Sequence, residues 1–251
     1  MSSANNSSPV TKMIPYLIFF VGLIGLYYLY NYLFGVHTGN AFPLLTANQS
    51  AMVSSTAPDV SIPSNQLPGL FEGGEFTVST WIYVNNWTYH LGQNKAILIL
   101  GGPNFDTLRL YMGAMKPTLK VRFHTKEEST VATTVPTEAL PNQTRTAVFT
   151  QTDTDSKLLD VSTMCDLPEI DLQRWVHITV AANGKTVDIY LDGKLAKSCV
   201  LPANFKVDSG GYQATLFPMG GFGGQISTTT MYDAALNPEA VYQNYMQGPA
   251  V

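Results

Sequence analysis

The sequence predicts an all-β protein: an antiparallel β-sandwich that follows one transmembrane helix and closes with a short C-terminal helix. Three observations lead there. Residues 174–200, RWVHITVAANGKTVDIYLDGKLAKSCV, read as three consecutive strands with both turns spelled out. Further strand-like segments follow one another at short spacing from Glu75 to Asp233, and residues 13–35 form a long apolar run without a charge.

The polar tail, residues 1–12, is rich in Ser and Asn and buries nothing by itself. Residues 13–35, MIPYLIFFVGLIGLYYLYNYLFG, make a helix of about 34 Å, enough to cross a bilayer. A cleaved signal peptide with its processing site at Gly39-Asn40-Ala41 is the rival reading, but a secretory apolar region runs to only about 7–15 residues. Tyr27, Tyr28, Tyr30 and Tyr32 crowd the far end, where amphipathic rings settle among headgroups. Lys12 and the terminal amine against an uncharged far flank favour a cytoplasmic N-terminus.

Residues 36–70 carry no Lys or Arg, one acid and four prolines, and read as a stalk or linker, either a passive spacer or a strap along a neighbouring protein. The sandwich is then expected over residues 71–251. Its strands are read at 75–84, 95–101, 107–113, 118–125 and 145–150, then in the 174–200 meander and at 225–233. FTVSTWIYV alternates with the period of a half-buried strand, while AILIL is a continuous apolar run that suits a strand buried on both faces. In the meander, Asn183-Gly184 and Asp192-Gly193 are type I′ dipeptides. With Ala182 and Lys185 flanking the first turn, Val176 faces Leu191, Ile178 faces Ile189 and Val180 faces Val187, all on one face. His177, Thr179 and Tyr190 then look outward from a sheet covered on one side. Asn237-Pro238-Glu239 opens a helix that Gly248-Pro249 stops.

Composition narrows function. Charged residues are 13% of the chain against a typical quarter, and a net charge of −4 offers no basic field, which excludes nucleic acid as a partner. Cys165 and Cys199 are too few for a cysteine scaffold or a zinc site, leaving one disulfide or two buried thiols.

Three blocks resemble the laminin G-like, concanavalin A-like lectin/glucanase jelly rolls. EFTVSTWIYVN (75–85) is similar to the family's opening strand, 174–198 to its Trp-strand and Tyr-x-Asp-Gly-Lys hairpin, and 220–248 to its closing strand and terminal helix. The resemblance implies a jelly-roll sandwich over residues 70–248, in a fold that serves lectins, hydrolases, adhesion modules and viral structural domains alike.

Candidate sites are sparse. Glu169-Ile170-Asp171-Leu172-Gln173 resembles the Glu-x-Asp-x-Glu run of retaining glucanases, but position 173 is Gln, so the pair of carboxyls that flanks a glycosidic bond is incomplete and no catalytic residue is assigned. Asp153 and Asp155 hint at a Ca2+ loop that lacks the usual Gly and distal Glu, so no metal or other cofactor is expected. Gly220-Gly221-Phe222-Gly223-Gly224 reads as a flexible turn into the last strand rather than a phosphate cradle. Trp87, Tyr89 and His90 follow the first strand as ligand-binding candidates whose rings suit a sugar face or a protein partner, whereas Trp81 and Trp175 read as core. Asn48, Asn86 and Asn142 head glycosylation sequons, used only if the domain enters a secretory lumen.

The expectation is therefore a non-enzymatic single-pass membrane protein, its partners a lipid bilayer and proteins of a larger assembly. The architecture is similar to membrane-anchored minor capsid proteins of large DNA viruses, which would place it in a virion membrane or capsid. The alternative is a surface lectin or adhesion module that reads glycans.

Overall fold

The computed structural model of the chain describes residues 9–34, 39–53, 59–125, 149 and 165–250. It divides into two units, residues 1–37 and 38–251. The first holds helix α1, Pro9–Phe34, whose stretch Met13–Tyr30 is long and apolar enough to cross a membrane, a test that a signal sequence also passes.

The second unit is a sandwich of two antiparallel sheets. One has the order β1 (Ala41–Leu45), β12 (Gly221–Tyr232), β4 (Glu75–Val84), β8 (Trp175–Asn183), β9 (Thr186–Leu191) and β10 (Lys194–Val200), with β2 (Gln49–Met52) also paired to β12. The other runs β3 (Val60–Ile62), β11 (Gln213–Leu216), β5 (Lys95–Gly101), β6 (Asp106–Met112) and β7 (Leu119–Phe123). Alternate residues of facing strands fill the space between the sheets: Phe76, Val78 and Ile82 of β4, Val176, Ile178 and Val180 of β8, and Leu98 and Leu100 of β5. Every residue of β5 is buried, as its unbroken apolar run requires.

The stalk reading of residues 36–70 is corrected. β1 lies along residues 229–232 of β12 and β2 along residues 221–226, so together they form one jogged edge strand down the length of β12, while β3 edges the opposite sheet. Pro43 is tolerated in β1 because an edge strand need not donate on its outer side. The strap belongs to the chain's own sheet.

The meander forms with a register two residues from the expected one. Val180 faces Ile189, Ile178 faces Leu191, and Asn183 pairs with Thr186 across a turn centred on Gly184-Lys185. Only Gly184 there has positive φ, 60°, as a type II′ turn demands of its first central residue. A shift of two keeps every side chain on its face, so the core residues are those expected. At the second turn Asp192 and Gly193 both take positive φ, 50° and 75°, and the type I′ reading holds.

The outer face of the β4–β8 pair is not open. Helix α2, Pro238–Met246, capped by the Asn237 side chain accepting from the Ala240 amide at 2.8 Å, lies over it. Tyr245 stacks on Trp81 at 5.6 Å and packs beside His177 at 6.0 Å. His177 is therefore buried rather than outward, and Trp81 packs under the helix instead of in the inter-sheet core. Trp175 is half-buried on that same face against Tyr83, 5.5 Å away.

Of the Gly-rich stretch only Gly220 lies in a turn, the short one over Pro218–Gly220, and residues 221–224 already belong to strand β12. A Cβ on Gly223 would lie 2.0 Å from the Asn86 carbonyl oxygen and one on Gly221 2.0 Å from that of Ala51, so β12 passes too close to its neighbours for any side chain. Cys165 and Cys199 form a disulfide that ties the segment entering the meander to β10. The expected strand at 145–150 lies outside the described residues except for Phe149, which is buried against Tyr111 of β6.

Candidate binding surface

The candidate loop begins where β4 ends. The Asn85 and Asn86 amides both donate to the Gly223 carbonyl, at 3.1 and 3.0 Å, fixing the exit from the sheet. Asn86 Oδ1 then accepts from the Thr88 amide at 3.1 Å and the Thr88 hydroxyl at 2.7 Å, and the chain turns through residues 87–92 back into β5. Trp87 and Tyr89 turn inward to half-buried positions; Asn86 and Thr88 are exposed.

Lys95, the first residue of β5, is fully buried beneath this loop. Its ammonium lies 4.2 Å from the centroid of the Trp87 ring. It donates to the carbonyls of His90 and Gln93, both at 3.3 Å, and of Ala114 at 3.4 Å. Burial pushes its pKa down to about 8, while the ring face and the three carbonyls solvate the cation. The Trp87 ring packs against the core as well. That ring face is consequently occupied by Lys95 rather than presented to a sugar.

Tyr89 and His90 also serve the loop. The Tyr89 hydroxyl donates to the Val53 carbonyl at 3.3 Å, the two rings meet edge to face at 4.2 Å, and His90 Nδ1 is 2.8 Å from Gln93 Oε1. His90 takes positive φ, 52°, and its ring closes against Gly220. The structure thus brings the three candidates together as a pinned loop whose rings face inward.

Sequence reasoning missed what surrounds them. Met52 at the end of β2, Leu91 in the loop, Met115 between β6 and β7, and Met219 before β12 are exposed at 41, 58, 58 and 39%. Their segments converge on Lys95 and His90: Ala114 through its carbonyl, Gly220 against the His90 ring, and Met52 in register with Gly221. Unbranched methionines adapt to a partner's shape at small cost, which is how apolar protein-binding surfaces use them. Each of the four stands alone in its local sequence, so no linear motif marks the rim.

A second arrangement lies under α2. Ser79 Oγ and His177 Nε2 are 2.7 Å apart, the spacing of a nucleophile and its base. Burial holds the His177 pKa down at about 4, opposed by the Asp192 carboxylate, and Nδ1 has no hydrogen-bond partner among the described residues to orient the ring. Asp192 instead accepts from the His177 backbone amide at 2.9 Å and pairs with Arg174. With Tyr245 packed beside it, this is a buried polar contact under α2.

The remaining candidates stay apart. Glu169 is exposed and Asp171 pairs with Arg174 at 2.5 Å, both in the loop before β8. Asp153, Asp155 and Asn142 lie outside the described residues, among which no group of three His, Cys, Asp or Glu gathers for a metal. Asn48 is exposed beside β2, its amide donating to Gln225 at 3.2 Å. An open cleft of about 400 Å³ lies between Pro63, Gly102, Pro103, Gly211 and Tyr212, away from every predicted residue.

Residues 139–242 match the family model described as the concanavalin A-like lectin/glucanases superfamily. That stretch runs through the meander, β11 and β12 into α2, and the two antiparallel sheets agree with its jelly-roll class. No curated protein sequence matches the chain. Among solved structures it is similar to the botulinum neurotoxin serotype D binding domain, at 12% identity and TM-score 0.49, over 83% of this chain and 46% of that one. The same serotype's ligand binding domain in complex with N-acetylneuraminic acid matches at 12% identity and TM-score 0.48, over 85 and 43%. The botulinum neurotoxin DC binding domain in complex with rat synaptotagmin II matches at 14% identity and TM-score 0.47, over 84 and 45%. The chain spans less than half the length of these structures.

Proposed function

We propose that this chain is a membrane-anchored, non-enzymatic binding module whose sandwich docks on a protein partner through the rim around Leu91 and Met115. In the same reading α1 spans the bilayer, and the sandwich lies on the non-cytoplasmic side. The observation that carries the choice is the pairing of an occupied Trp87 face with four exposed apolar side chains from four segments. A sugar-stacking site needs a free ring face, whereas a protein interface needs an adaptable apolar centre. The buried, unoriented Ser79–His177 contact and the missing third carboxylate at Gln173 support a role without catalysis. The setting we assign is that of a minor capsid protein holding a membrane to a protein lattice, because an apolar helix followed by a binding sandwich resembles that architecture.

Lys116, exposed next to Met115, supplies a reporter. In the native membrane assembly, amine cross-linking is expected to join Lys116 to a second chain. The joint substitutions Leu91→Asp and Met115→Asp are expected to abolish that link without altering the melting of the sandwich. Cross-links confined to this chain, or glycan binding by the full chain that Trp87→Ala removes, would overturn the reading in favour of the lectin.

A further inference from the structure

We infer that Asn86 is an N-glycosylation site, an inference resting on the reading that the sandwich lies on the non-cytoplasmic side of the membrane. Asn86-Trp87-Thr88 is a complete acceptor sequon, and the structure turns it outward. Because Trp87 and Tyr89 are anchored inward, the two residues that the modification needs, the acceptor amide and the Thr88 hydroxyl, share the exposed side of the turn. Both Thr88 bonds go to Asn86 Oδ1, which leaves Nδ2 without a hydrogen bond among the described residues. At Asn48 the corresponding nitrogen is engaged by Gln225. The Cys165–Cys199 disulfide is independent support for the compartment, since such bonds persist on the oxidising side of a membrane, where glycan transfer occurs.

The step requires a polyprenyl-diphosphate-linked oligosaccharide as co-reactant. A bond forms between Asn86 Nδ2 and the sugar C1 while the bond from C1 to the diphosphate oxygen breaks. The polyprenyl diphosphate leaves with the electron pair, and one Nδ2 proton passes to a base of the transferase. A glycan there borders the apolar rim from the β4–β12 side, because the Asn86 amide is bonded to Gly223. A partner then approaches Leu91 and Met115 from the side of the five-stranded sheet.

The test is translation of the full chain into endoplasmic-reticulum microsomes, reading glycosidase-sensitive mobility, peptide mass and protease protection together. The expected result is a protected sandwich with a glycosidase-sensitive shift and Asn86 recovered as Asp after enzymatic release. Asn86→Gln and Thr88→Ala are each expected to reduce the shift by one glycan, and Thr88→Ser to keep it. A protected sandwich with Asn86 unmodified would overturn the glycosylation site alone. A sandwich digested from outside the vesicles would overturn the membrane orientation, and the site with it.

Discussion

His177 shows how one side chain joins packing to acid stability. It is 1% exposed between Trp81 and Tyr245, near Asp192 and Arg174, and its pKa falls from 6.5 to about 4. Between those values the unfolded chain binds a proton that the folded chain refuses, so the stability contribution present at neutral pH is lost as pH falls from 6.5 towards 4. The shift corresponds to about 3 kcal/mol. His177→Gln, measured by chemical denaturation across pH 4–7, is expected to flatten the stability profile by an amount of that order. His124, also lowered by burial, supplies a residual slope of the same sign. An unchanged profile would mean that His177 titrates normally. Its burial was hidden from the sequence because period-2 alternation assigns a face but not what covers it, and the cover comes from a helix some 60 residues later.

At the scale of elements, legibility followed length. β4 and β5 begin and end where their alternation and apolar run predict, and α2 starts at its predicted cap. β1, β2, β3 and β11 have three to five residues, too few to show a period, and the first three lie in Ser-, Thr- and Pro-bearing sequence whose composition matches a linker's. The distinction has a practical consequence. A soluble fragment beginning at Leu70 lacks the strap and leaves the edge of β12 unpaired, whereas one beginning at Thr38 keeps it. Size-exclusion chromatography and thermal melting are expected to show the longer fragment as a discrete, cooperatively folding species and the shorter one as aggregation-prone. Equal behaviour of the two would show that the strap adds nothing to the fold.

For the whole molecule, the disulfide closes a large loop between residues 34 apart in sequence. Constraining the unfolded chain in this way is worth about 4 kcal/mol. Reduction, or the double substitution Cys165→Ala and Cys199→Ala, is expected to lower the unfolding free energy by roughly that amount in denaturant titrations. A change below about 1 kcal/mol would indicate residual structure in the reduced chain. The candidate surface was only partly readable at this scale. Trp87, Tyr89 and His90 were marked by residue type, but their role as inward pins depends on Lys95, Val53 and Gly220, which are near only once the sheets are assembled.

The strap along β12 also decides how the sandwich responds to force. The described part of the sandwich unit begins at Gly39, next to which the Asn40 amide and side chain both donate to the Asp233 carboxylate at 2.6 Å. Tension applied at the N-terminal end of this unit meets this clamp first, then the short β1–β12 pairing, and only afterwards β2. The jog between β1 and β2 divides the load into two steps. Pulling the 38–251 unit from its N-terminal end in force spectroscopy is expected to give a small early extension as β1 and β2 leave β12, before the main rupture of the β12–β4 and β4–β8 pairs. A single rupture event would show that the strap is not separable from the sandwich.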